Sequence, residues 1–168
     1  MIGSFDLGDA SSLVVGLSAM AGHYDPAARL SFAIGGADLV LQVPSLTFRA
    51  EYLLRRTEID LGSDPSSRFK YGPGAAGFAR HFVKDGFYAE VEVPVGRVDL
   101  IARWDGLRRA GNVLATSALS DRSSVLRYTA AVAIRIAGGV RLKTSIEAYQ
   151  FSDFEDELGL HLGLAAPF

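Results

Sequence analysis

Leu126-Arg127-Tyr128-Thr129-Ala130-Ala131-Val132-Ala133-Ile134-Arg135 and, beyond Ala137-Gly138-Gly139, Val140-Arg141-Leu142-Lys143-Thr144-Ser145-Ile146-Glu147-Ala148-Tyr149 are the residues whose pattern decides the fold. Leu126, Tyr128, Ala130, Val132 and Ile134 fall on one side of an extended chain, and Arg127, Thr129, Ala131, Ala133 and Arg135 on the other. Past the glycines, Val140, Leu142, Thr144, Ile146 and Ala148 alternate with Arg141, Lys143, Ser145, Glu147 and Tyr149. The period is two, that of a strand, whereas a helix would scatter these charges around its circumference. Two such runs joined by a glycine pair read as a β-hairpin with one apolar and one charged face.

The same alternation recurs outward in both directions. Eight runs stand out, at about 12–22, 34–43, 45–57, 86–94, 97–107, 124–136, 139–151 and 157–168. Val43-Pro44-Ser45, Pro94-Val95-Gly96-Arg97 and Ala137-Gly138-Gly139 read as tight turns. Longer connections at 23–33, 58–85 and 108–123, and the short acidic Ser152–Asp156, alternate with them. Short turns at one end and longer loops at the other is the pattern of a transmembrane β-barrel. The expected fold is therefore all-β, an antiparallel up-and-down transmembrane barrel of about eight strands, with residues 1–168 as one outer-membrane domain.

The final run, Leu158-Gly159-Leu160-His161-Leu162-Gly163-Leu164-Ala165-Ala166-Pro167-Phe168, places Leu160, Leu162, Leu164 and Phe168 on one apolar stripe. A closing barrel strand has this pattern, and these four residues are the expected signal to the bacterial barrel-assembly machinery. Phe168 would lie at the periplasmic end. Tyr52, Phe87, Trp104 and Tyr128 fall on the apolar face near the opposite ends of their runs. Amphipathic rings favour the membrane–water interface, so these four form an expected aromatic girdle.

The other face carries Arg49, Arg55, Arg103, Arg127, Arg135, Arg141 and Lys143. Burying such charges in a dry core would cost several kcal/mol each unless paired, so this face is expected to meet water. Guanidinium forks suit phosphate and carboxylate, which makes these seven candidate anion-facing residues of a lumen. Glu51, Asp99, Asp105 and Glu147 on the same face offer the competing role of pairing across the wall. A soluble barrel with its apolar face turned inward is the alternative, and it gives no reason for the unequal turns and loops.

Composition narrows the function classes. The chain has 168 residues, a net charge of −2 and no cysteine, so disulfides and thiolate metal sites are excluded and nothing points to nucleic acid. Leu13–Ala21 could pass for a signal core, but Asp6 and Asp9 precede it and no Lys or Arg does. His23, His81 and His161 are widely spaced, outside any metal-ligand motif. No catalytic residue, metal or cofactor is expected. The loop Ile59–Asp85, with Arg68, Lys70, Arg80, His81 and Lys84 among Phe69, Tyr71, Phe78 and Phe82, would either fold into the mouth as a constriction or cap it from outside.

Gly36-Ala37-Asp38-Leu39 followed by Leu46-Thr47-Phe48-Arg49-Ala50-Glu51-Tyr52 resembles a stretch of the phosphate-selective porins O and P and related bacterial porins. Gly86-Phe87-Tyr88-Ala89-Glu90 and Val98-Asp99-Leu100-Ile101-Ala102-Arg103-Trp104-Asp105 are similar to a later one, and Arg141-Leu142-Lys143 through Phe168 to the closing hairpin. The chain departs from the family pattern in Ala166, where an aromatic is commoner, and in Pro167. The resemblance implies trimeric, sixteen-stranded, water-filled barrels that pass anions, of which eight strands would be the C-terminal half. The partners it implies are a lipid bilayer, the assembly machinery, two further copies and small hydrophilic or anionic solutes such as phosphate. If the eight strands instead close alone, side chains fill the interior and the barrel is structural.

Overall fold

The structure is a computed structural model, and it describes residues 1–27, 29–70, 78–136 and 139–166. Its strands are β1 (Ile2–Gly8), β2 (Ser11–His23), β3 (Ser31–Val43), β4 (Leu46–Glu58), β5 (His81–Val95), β6 (Val98–Ala110), β7 (Arg122–Arg135), β8 (Arg141–Phe151) and β9 (Glu157–Ala165). One helical turn, α1 (Pro65–Arg68), interrupts the β4–β5 connection. All nine strands form one sheet in sequence order, each antiparallel to the next. The up-and-down all-β architecture follows the period-two reading directly.

Among the described residues the strands number nine, not eight. Ile2–Gly8 was hidden because it is short and its alternation is broken by Gly3 and Ser4. It pairs with β2 through a turn in which Asp9 (φ 47°) and Ala10 (φ 59°) both adopt left-handed conformations, the geometry that matches strand twist in two-residue hairpins. β1 occupies the edge of β2 that a closed eight-stranded barrel would need for β9. Among the described residues the sheet is open, with β1 and β9 at its edges. β5 also begins at His81 rather than at residue 86, which moves His81, Phe82 and Lys84 from loop to strand.

Connections still alternate. The short ones, 9–10, 44–45, 96–97 and 136–140, lie at one end of the sheet; 24–30, 59–80, 111–121 and 152–156 lie at the other. The loops 59–80 and 111–121 hold each other: Phe69 and Leu114 form an isolated bridge, and Asn112 exchanges hydrogen bonds with both the N–H (3.2 Å) and the carbonyl (2.7 Å) of Ala79. Tyr71 lies outside the described residues.

Register places every strand's apolar side on one face. Leu41, Phe48 and Val91 are successive cross-strand neighbours, as are Ala102, Ala130, Ile146 and Leu160. Among the described residues nothing packs against this face, and the buried apolar side chains are Phe69, Val113, Ala131 and Ala133, none of them on it. The accessible surface, 11114 Å², is well above the roughly 8,000 Å² expected of a globular monomer of this mass.

Candidate functional site

The opposite, polar face carries the charged chemistry. Glu90 on β5 stands between Arg49 of β4 and Arg103 of β6, at 3.1 and 3.6 Å, and Glu92 holds Arg49 from the other side at 3.1 Å. Asp105 accepts from Arg103 Nε at 3.0 Å and from Arg127 Nε of β7 at 3.1 Å. Arg127 reaches Glu147 of β8 at 3.3 Å, and Glu147 also accepts the Tyr149 hydroxyl (2.6 Å) and lies 3.6 Å from His161 Nε2 on β9. Alternating charges thus run unbroken across five strands, β4–β8, and His161 extends the contacts to β9. The cause is register: the strands set Arg49 opposite Glu90, Glu90 opposite Arg103, and Asp105 opposite Arg127.

Near the tight turns, Arg135 of β7 faces Arg141 of β8, and the buried carboxylate of Asp99 pairs with Arg135 and lies 3.8 Å from Arg141. Like charges directly opposite repel, and Asp99 offsets that repulsion. Five of the seven residues expected to face anions, Arg49, Arg103, Arg127, Arg135 and Arg141, therefore already hold carboxylates. Lys143 takes part in no salt bridge among the described residues.

Arg55 differs from the others. Its register neighbour is Lys84, whose neighbour is Arg109, so three cations stand in one row at the loop end of the polar face. Arg55 Nε donates to Thr57 Oγ1 at 2.9 Å, and Arg109 donates to the carbonyls of Gly111 (3.0 Å) and Asn112. Sequence reasoning missed Arg109 altogether and assigned Lys84 to a loop. The missing signal was register, which single-strand alternation does not contain.

On the apolar face, Tyr52 is the cross-strand neighbour of Phe87 and Trp104 of Tyr128. The Phe87 and Trp104 rings meet edge to face, with centroids 4.8 Å apart. The four aromatics are brought together into one band across β4–β7. They do not sit at strand ends, as expected for a girdle. Each is the seventh residue of its strand, because β4–β7 all continue past the band toward the loops. One step beyond it, Arg108 and Asp85 form a 2.5 Å ion pair on the same face.

Leu160, Leu162 and Leu164 project from β9 with 78%, 76% and 69% of their surface exposed. Phe168 lies outside the described residues. No protein family, curated protein or solved structure matches the chain.

Proposed function

We propose that the chain forms the wall of a bacterial outer-membrane β-barrel channel, with lipid on the apolar face and water on the polar one, passing small hydrophilic solutes by passive diffusion. One observation carries the reading: an apolar face that is uncovered among the described residues and has the same height on the successive strands β4, β5 and β6. On β6 it runs from Val98 to Gly106 and stops at Arg108; on β5 it runs from Val95 to Phe87 and stops at Asp85. On β4 it runs from Leu46 to Leu54 and stops at Arg56. That height matches the ~9–11 residues a tilted strand needs to cross hydrocarbon. The resemblance to phosphate-selective porins supports the same reading and suggests a trimer, recognised during assembly through the β9 stripe.

Any anion preference is weak in this reading. Arginines that hold carboxylates are poorly placed to bind passing anions, so the preference comes from the row Arg55, Lys84 and Arg109, which takes part in no salt bridge among the described residues.

Trp104, the single tryptophan, tests the membrane assignment. It lies on the apolar face with 46% of its surface exposed. Reconstituted into vesicles, its fluorescence is expected to be quenched by lipids brominated along the acyl chain. A chain that stays monomeric and dissolved without detergent, with Trp104 unquenched, overturns the assignment. Swelling of liposomes in small sugars reads the channel.

A further inference from the structure

Two rows of the polar face meet at the loop end. The first is the cation row. Lys84 and Arg109 face each other across β5 and β6, and neither they nor Arg55 take part in a salt bridge among the described residues. Both cations instead lie 5.5 Å from the centre of the Phe82 ring. Asp121 acts on Arg109 electrostatically without pairing with it. Like charges directly opposite are destabilising, and the ion-pair chain, which begins two rows deeper, avoids that arrangement.

The second row is apolar. Leu53, Gly86, Leu107, Val125 and Phe151 are successive cross-strand neighbours on a face that is otherwise polar. Leu107 is 63% exposed. Phe154, from the 152–156 connection, meets Phe151 edge to face at 6.1 Å. Leu107, Val125, Phe151 and Phe154 bound, with Leu119, a cavity of about 280 Å³, which Lys84 and Arg109 also line. The carboxylate of Asp153 lines it as well but is engaged by the Ser120 N–H (3.2 Å) and the Ser152 hydroxyl (3.1 Å).

We propose that this cavity binds a small organic anion with one aromatic ring, the ring against Leu107 and Phe151 and the carboxylate toward Lys84. The volume lies near the lower end for small-molecule sites, which suits a single ring. Phe151 and Phe154 offer the edge and offset contacts that rings prefer. Lys84 and Arg109 supply positive charge that is held in no salt bridge among the described residues. The inference rests on the polar face being wet, as in the channel reading.

The test uses the folded chain in detergent micelles, with equilibrium dialysis of benzoate, benzyl alcohol and acetate against empty micelles. Benzoate is expected to bind saturably, benzyl alcohol more weakly and acetate not at all. Lys84→Gln is expected to weaken benzoate about fivefold while leaving benzyl alcohol unchanged. Leu107→Ser, at a position 63% exposed, is expected to weaken both about fivefold. Benzoate binding no tighter than acetate, or indifferent to both substitutions, overturns the site. Binding is measured without a bilayer, so the two readings fail separately. Sugar-driven swelling without benzoate binding removes only this site, and benzoate binding without swelling removes only the channel.

Discussion

Asp105 shows how much one residue organises here. Its carboxylate is shared by Arg103 and Arg127, and those arginines are the links between Glu90 and Glu147. Asp105→Asn keeps the shape and removes the charge, leaving the polar face one charge more positive. The expected results are a reversal potential shifted toward anions under a salt gradient and a loss of about 1 kcal/mol in urea unfolding, the scale of a half-exposed ion pair. Outside the strands proposed to cross a membrane, Asp153 makes a pH prediction. Its carboxyl is held below the usual carboxylate range, chiefly by hydrogen bonding to Ser120 and Ser123. A depressed folded pKa gives stability that is present above the unfolded pKa and lost as pH falls through the folded one. The contact between 111–121 and 152–156 should therefore persist at mildly acid pH, and its amide protection should fall only below the ordinary Asp range. Which side chains share a face was legible in the sequence, because period two is local. Which arginines find a carboxylate was not: Arg103 meets Glu90 and Arg55 meets Lys84 only through inter-strand register, fixed by turns and neighbours.

At the scale of elements, the strands hardest to read were those whose alternation is weak or mixed. The start of β5 puts Phe82 and Lys84 on the polar face and Val83 and Asp85 on the apolar one, so no clean apolar stripe marks it. β1 is closed onto β2 by a turn that a glycine would suit better than Ala10. A non-glycine residue in the left-handed region costs about 1 kcal/mol. Ala10→Gly should relieve that cost, less the entropy glycine loses on folding, and raise the free energy of urea unfolding by up to roughly 1 kcal/mol. Gly106 works the other way. A Cβ there would lie 2.7 Å from Leu126 Cδ2, 2.9 Å from the Val125 carbonyl and 3.1 Å from the Phe87 ring. Gly106→Val should displace Phe87 from Trp104 and destabilise by about 1–3 kcal/mol, with a change in Trp104 emission.

For the whole molecule, the ninth strand changes the closure problem. With every neighbour antiparallel, β1 and β9 run in the same direction, so a seam between them would be parallel. Single-chain bacterial barrels close with an even number of strands, all antiparallel. An antiparallel closure of this sheet requires an odd number of additional strands. Both edges also expose apolar side chains beside unpaired backbone, Ile2 and Phe5 on one and Leu158 through Leu164 on the other. Such edges seek partners. The chain has no cysteine, so introduced pairs report cleanly. Phe5→Cys with Leu13→Cys, direct register neighbours of β1 and β2, should form a disulfide in the membrane-inserted protein. Phe5→Cys combined in turn with cysteine at Leu158, Leu160 or Leu162 should form none within one chain. An intramolecular bond in any of the three would show that β1 and β9 meet in a parallel seam, and that these nine strands close into a barrel by themselves.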